Sequence, residues 1–93
     1  MTLHIIKSAK ADTITLVEEL MSAGDQVLLV EDGCYLYTLA KQKLAVSNSS
    51  ILALSDHMQA RGLADKACDS GIELITFKQW VLLTHQHPQS TSW

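Results

Sequence analysis

A chain of 93 residues, 47% hydrophobic and 18% charged, describes one compact folded unit with no room for a second core. The net charge of -3 is mild, and the seven Lys and Arg residues are scattered apart from the close pair Lys41 and Lys43. Binding nucleic acid takes concentrated positive charge, so direct RNA or DNA binding by this chain is not expected. No apolar run approaches the roughly 20 residues that span a bilayer, and Met1–Lys7 lacks the basic-then-apolar layout of a signal peptide. Residues 1–93 are therefore expected to form a single cytoplasmic domain, with Cys34 and Cys68 kept as reduced thiols. Small apolar packing groups, buried or half-buried, are the ordinary reading of both cysteines.

The predicted elements alternate between strand and helix. Leu3–Ile6 is a short β-branched run and reads as a strand. After the loop Ser8–Ala11, Asp12 is a candidate N-cap for a helix carrying Ile14, Val17, Leu20 and Met21 at helical spacing, with Gly24 as its stop. Val27–Val30 is apolar at every position, as a parallel strand covered on both faces would be. Glu31-Asp32-Gly33 ends it, and Cys34–Lys41 reads as a short helix. Asn48, Ser49 and Ser50 signal a turn before the strand Ile51–Leu54. Ser55 or Asp56 is placed to cap a brief helix ending near Arg61 and Gly62. A second helical piece runs from Ala64 to Cys68, and Gly71 leads into the strand Ile72–Ile75.

The last helix has the clearest local signal. Thr76 and Gln79 have capping-box spacing, with Phe77, Trp80, Val81 and Thr84 on one face and Pro88 as the stop. The tail Gln89–Ser92 reads as loose. Trp93 at its end is expected to pack back onto the domain or into a partner, because an indole is costly to leave in water. Four strand-then-helix units imply an α/β fold, a small, mostly parallel sheet with helices on both faces. A sheet this small and apolar is expected to need other chains to cover it.

The candidate chemistry is sparse. The loop Lys7–Asp12 follows the first strand, where a doubly wound fold cradles phosphate, but it has no glycine to let backbone amides approach. No nucleotide, flavin or other cofactor is expected. Glu31 and Asp32 stand where such folds hold ligands, although Asp-Gly is first of all turn chemistry. His85 and His87 are two apart, there is no Cys-x-x-Cys, and no metal site is expected. Cys34 is the one candidate nucleophile. A helix N-terminus would lower its pKa and let it carry a persulfide, whereas Glu31 and Asp32 nearby would raise it.

Several segments carry a family resemblance in order and spacing across the whole chain: Leu3-His4 followed by Lys7-Ser8, the stretch from Gly24 ending Leu-Leu-Val-Glu-Asp-Gly, Ala60-Arg61-Gly62-Leu63, and the final Trp93. In these it resembles the DsrH/TusB family. The resemblance implies a DsrE/DsrF/DsrH-like fold and assembly with a DsrE-like (TusD) and a DsrF-like (TusC) subunit as a dimer of heterotrimers. It also implies a non-catalytic role in a TusBCD-type sulfur relay that ends in 2-thiolation of the tRNA wobble uridine. The alternatives are a DsrH-type subunit of a DsrEFH complex in sulfur oxidation, or a persulfide carrier through Cys34. Some DsrH members have a cysteine in the first helix, and Leu16–Ser22 contains none. That departure favours the tRNA branch.

Overall fold

The computed structural model describes residues 2–44 and 50–93. Its elements follow one another as β1 (Thr2–Ile6), α1 (Ala11–Leu20), β2 (Gln26–Leu29), a 3-10 turn (Glu31–Leu36), α2 (Tyr37–Leu44), β3 (Ser50–Leu54), α3 (Ser55–Ala60), α4 (Ala64–Asp69), β4 (Glu73–Ile75), α5 (Phe77–Gln86) and β5 (Gln89–Ser92). All strand pairs are parallel, and the sheet order is β4-β3-β2-β1-β5. The α/β class and the four apolar strands are as the sequence pattern predicts.

The fifth strand is a correction. Gln89–Ser92 is not loose but pairs with β1, from Thr2 opposite Gln89 to Ile5 opposite Ser92. All four of its residues are exposed, so no apolar alternation betrays it. Backbone bonds and its neighbour Trp93 hold it in place. The Trp93 amide donates to the Ile5 carbonyl at 2.8 Å, and the Lys7 amide donates to the Trp93 carbonyl at 3.1 Å. Trp93 packs against the domain's own core, the first of its two expected places.

Strand alternation divides the interior into two layers. Ile6, Val27, Leu29, Ile51 and Ala53 face Ile14 and Val17 of α1, Ala40 and Leu44 of α2, Met58 of α3 and Ala67 of α4. Leu3, Ile5, Leu28, Val30, Leu52, Leu54 and Ile75 point to the other side, where Trp80 and Leu83 of α5 cover them. Four helices thus share one face, and the other has α5 alone. No residue of α5 is fully buried.

Phe77, Trp80, Val81 and Thr84 share one face of α5, as expected, and line a groove with Ile5. Trp80 and Leu83 pack on the sheet, whereas Phe77 and Val81 are exposed, although Phe77 stacks on Trp80 at 6.1 Å. The capping box is present. The Gln79 amide donates to Thr76 Oγ1 at 3.2 Å, and the Thr76 amide to Gln79 Oε1 at 2.8 Å.

Three other helix ends differ from expectation. Lys10, not Asp12, is the N-cap of α1, and Asp12 lies in the first turn, where a carboxylate suits the helix dipole. Leu54 is the N-cap of α3, with no side-chain cap from Ser55 or Asp56. Helix α1 stops at Leu20, since Met21 is already extended, and Gly24 at φ 90° serves the turn into β2 instead. Asn48 and Ser49 of the expected turn lie outside the described residues, and Ser50 already belongs to β3.

Candidate functional site

The C-terminal ends of β1, β2 and β3 converge on the turn that begins at Glu31. The Val30 amide donates to the Ile6 carbonyl at 3.0 Å, and the Gly33 amide reaches the Val30 carbonyl at 2.9 Å and that of Lys7 at 3.2 Å. The chain is so close to β1 here that a Cβ on residue 33 would stand 2.0 Å from the Ile6 oxygen. Glycine is a steric requirement at that position. Glu31 has a φ of 50°, a left-handed conformation that costs a residue with a side chain free energy. The His57 ring helps to hold it, because Nδ1 accepts the Glu31 amide at 2.8 Å.

Around this turn Glu31 and Asp32 are exposed, whereas His57 and Arg61 are half-buried. Arg61 Nη2 lies 3.2 Å from Asp32 Oδ1, and Nη1 donates to the His57 carbonyl at 3.3 Å. The same guanidinium sits 6.0 Å from the centre of the Tyr35 ring. Phe77 meets the edge of His57 at 5.7 Å. The preceding loop folds on itself, with the Lys10 amide donating to Ser8 Oγ at 3.2 Å. Glu31 and Asp32 thus stand where the sequence places them, on an exposed turn. Their anchor is the buried Gly33.

Cys34 belongs to the 3-10 turn, not to the start of an α-helix as the sequence suggests. It is fully buried, and its Sγ faces the Leu29 carbonyl at 3.7 Å. Burial pushes the thiol up to about 11; Arg61 acts in the opposite sense, and Asp32 adds a smaller upward push. The direction agrees with the sequence reading, but desolvation outweighs the acidic neighbours as its cause. Cys68 departs from expectation, because on α4 it is exposed. The short helix turns its side chain away from the core that Ala67 enters.

At the opposite end of the sheet, one buried and one part-buried polar cluster form that spacing alone does not reveal. Asp25 Oδ2 lies 3.0 Å from His4 Nε2 and accepts the Ser22 amide at 3.1 Å, while Oδ1 accepts the Thr2 amide at 2.8 Å. Trp93 Nε1 approaches His4 Nδ1 at 3.4 Å, with the two rings stacked at 6.3 Å. If the indole donates, the His4 proton is on Nε2, facing Asp25. Burial pushes the Asp25 carboxyl up, but bonds from His4, Thr2 and Ser22 together hold it below its ordinary value.

In the second cluster His87 Nε2 lies 2.6 Å from Gln26 Oε1, and Gln26 Nε2 donates to Ser50 Oγ at 2.9 Å. His87 Nδ1 is buried and has no partner among the described residues. His85 is exposed, so the pair His85 and His87 does not converge. Among the described residues, no group of three or more His, Cys, Asp or Glu side chains is arranged to hold a metal ion. His4 and Asp25 are 21 residues apart, and only the parallel pairing of β1 and β2 brings them together. A histidine inside the apolar run Leu3–Ile6 was the one available signal, since a buried imidazole needs a partner.

No described helix is long and apolar enough to cross a membrane. Residues 7–90 match the family model described as DsrH like protein. Protein TusB of Pectobacterium carotovorum is 33% identical over 87 residues, covering 89% of this chain and 88% of its own. Protein TusB of Photorhabdus laumondii is 29% identical over 86 residues, covering 84% of each. The solution NMR structure of protein Tm0979 from Thermotoga maritima shares the fold, with a TM-score of 0.67 at 22% identity over 92% of this chain and 93% of that one. On the family match over most of its length, this chain belongs to the DsrH-like family.

Proposed function

We propose that the chain is a non-catalytic subunit of a TusBCD-type sulfur relay that supports 2-thiolation of the tRNA wobble uridine. In this reading it assembles with a DsrF-like (TusC) subunit and a DsrE-like (TusD) subunit, the latter carrying the sulfur as a cysteine persulfide. The observation that carries it is similarity to several proteins named TusB over 84–89% of this chain. The closed Cys34 adds support. A sulfur carrier needs an accessible thiolate, and this thiol is buried with its pKa raised to about 11.

The test is a relay reconstituted from this chain and its two partner subunits, read as thiolated tRNA. Cys34→Ser and Cys68→Ser, separately and combined, should retain transfer within about twofold, since serine cannot form a persulfide and none is needed. Omitting the chain should abolish assembly of the complex. Loss of transfer in Cys34→Ser, with a sulfur atom gained on the Cys34 peptide, would refute the scaffold role. Assembly with partners but no tRNA thiolation would favour the sulfur-oxidation branch.

A further inference from the structure

Among the described residues, Glu31 is the one with a side chain that has a positive φ. Such a backbone persists only where its surroundings hold it. The Glu31 carboxylate joins no ion pair among the described residues, so the hold comes through the backbone. Its amide donates to His57 Nδ1 at 2.8 Å, and two residues on the Gly33 amide donates to the Val30 and Lys7 carbonyls. The strained residue itself is tied by the imidazole.

That bond fixes the state of the ring. A nitrogen that accepts an N–H must keep its lone pair, so the neutral His57 has its hydrogen on Nε2. The proton that makes the ring cationic then goes to Nδ1, the atom that holds Glu31. Bond and proton exclude each other. Protonation sets the Glu31 amide against another N–H, donor facing donor.

The surroundings leave the ring free to take that proton. His57 is half-buried, within reach of water, and joins no ion pair among the described residues. The charged groups of the neighbouring elements are Glu31 and Asp32 on the turn, Asp56 beside it on α3, and Arg61. Arg61 already pairs with Asp32 and donates to the His57 carbonyl, not to its ring. From α5 the ring meets Phe77 edge-on at 5.7 Å, and Lys78 follows Phe77 in the chain.

We propose that His57 is a proton-operated clasp on the Glu31 turn: the neutral ring holds the turn in its left-handed form, and protonation releases it. A released Glu31 relaxes to an ordinary backbone conformation and carries the exposed Asp32 and Tyr35 with it. The C-terminal end of the sheet thus presents one surface at neutral pH and another in acid. This does not rest on the relay reading and asks nothing of Cys34.

Nuclear magnetic resonance of the full chain at about pH 8 and about pH 5, the span in which histidine changes charge, provides the test. At the higher pH the His57 ring nitrogens should report hydrogen on Nε2. The Glu31 amide, with exchange corrected for the intrinsic effect of pH, should lose protection at least about fivefold at the lower pH. His57→Asn puts an amide oxygen where Nδ1 stands, an acceptor that does not titrate, and should keep Glu31 protected at both. His57→Leu has no acceptor and should give the released turn at both, with circular dichroism and melting to verify each fold. His4, His85 and His87 remain in both variants, so a pH response that survives His57→Asn belongs to them and overturns the proposal. A neutral ring with hydrogen on Nδ1 overturns it too, as does equal protection of Glu31 at both pH values in the parent. Should His57→Leu fail to fold, the parent and His57→Asn decide between these results.

Discussion

The two ends of the sheet use polar residues in opposite ways. At the end near Asp25 the polar groups are buried and joined, binding the start of β1, the turn before β2 and Trp93 into one cluster. At the end near Glu31 they are exposed or half-buried, and Cys34 is sealed beneath them. Doubly wound folds place ligands at the latter end. Here that end presents surface, while the interactions whose loss is costly lie at the other.

The largest expected effect is therefore at Asp25. Asp25→Ala leaves the buried His4 Nε2 and the part-buried Thr2 and Ser22 amides without their acceptor, and should cost about 3–5 kcal/mol by chemical denaturation. A cost under about 1 kcal/mol would show that the cluster is not an anchor. The pH dependence sharpens the same point. The folded Asp25 carboxyl is held below its ordinary 3.8, so its contribution is complete above that pH. It should be lost as pH falls further, through the folded value. Asp25→Asn should flatten that acid limb in a stability-against-pH curve.

Thiol labelling contrasts a sealed cysteine with an open one. A rise from 9.0 to about 11 leaves Cys34 roughly a hundredfold less thiolate than an ordinary cysteine near neutral pH, before its burial is counted. Native protein should label one thiol, Cys68, and denatured protein two. Rapid native labelling of Cys34, located by peptide mass, would show that the Glu31 end opens.

The smallest effect is expected at Asp32. Its side chain is 66% exposed, and its ion pair with Arg61 is screened by water. Asp32→Ala should change stability by less than about 0.5 kcal/mol in the same denaturation assay. A loss matching that of Asp25→Ala would erase the contrast between the two ends.

The candidate turn was legible because Asp-Gly after an apolar run is local chemistry, and so was the Thr76–Gln79 box, which spans one helical turn. The His4–Asp25 pair was not, because its members meet only through strand pairing. Burial of Cys34 was the ordinary expectation for a cysteine, but what covers it was not legible. Its neighbours in sequence are acidic and exposed, and its closure comes from the close crossing of Gly33 over Ile6.

By itself the sequence determined the class of fold, four of the strands and the end of the last helix, since each follows from apolar period or from residues a few positions apart. Its ordered resemblance also pointed to the family. Tertiary structure alone decided that Gln89–Ser92 is a strand, that Cys68 is exposed while Cys34 is shut, and that α5 covers its face of the sheet alone. The physical reason is the same in each case. A polar edge strand is held by backbone bonds to a distant partner, and burial depends on what the rest of the chain lays over a residue.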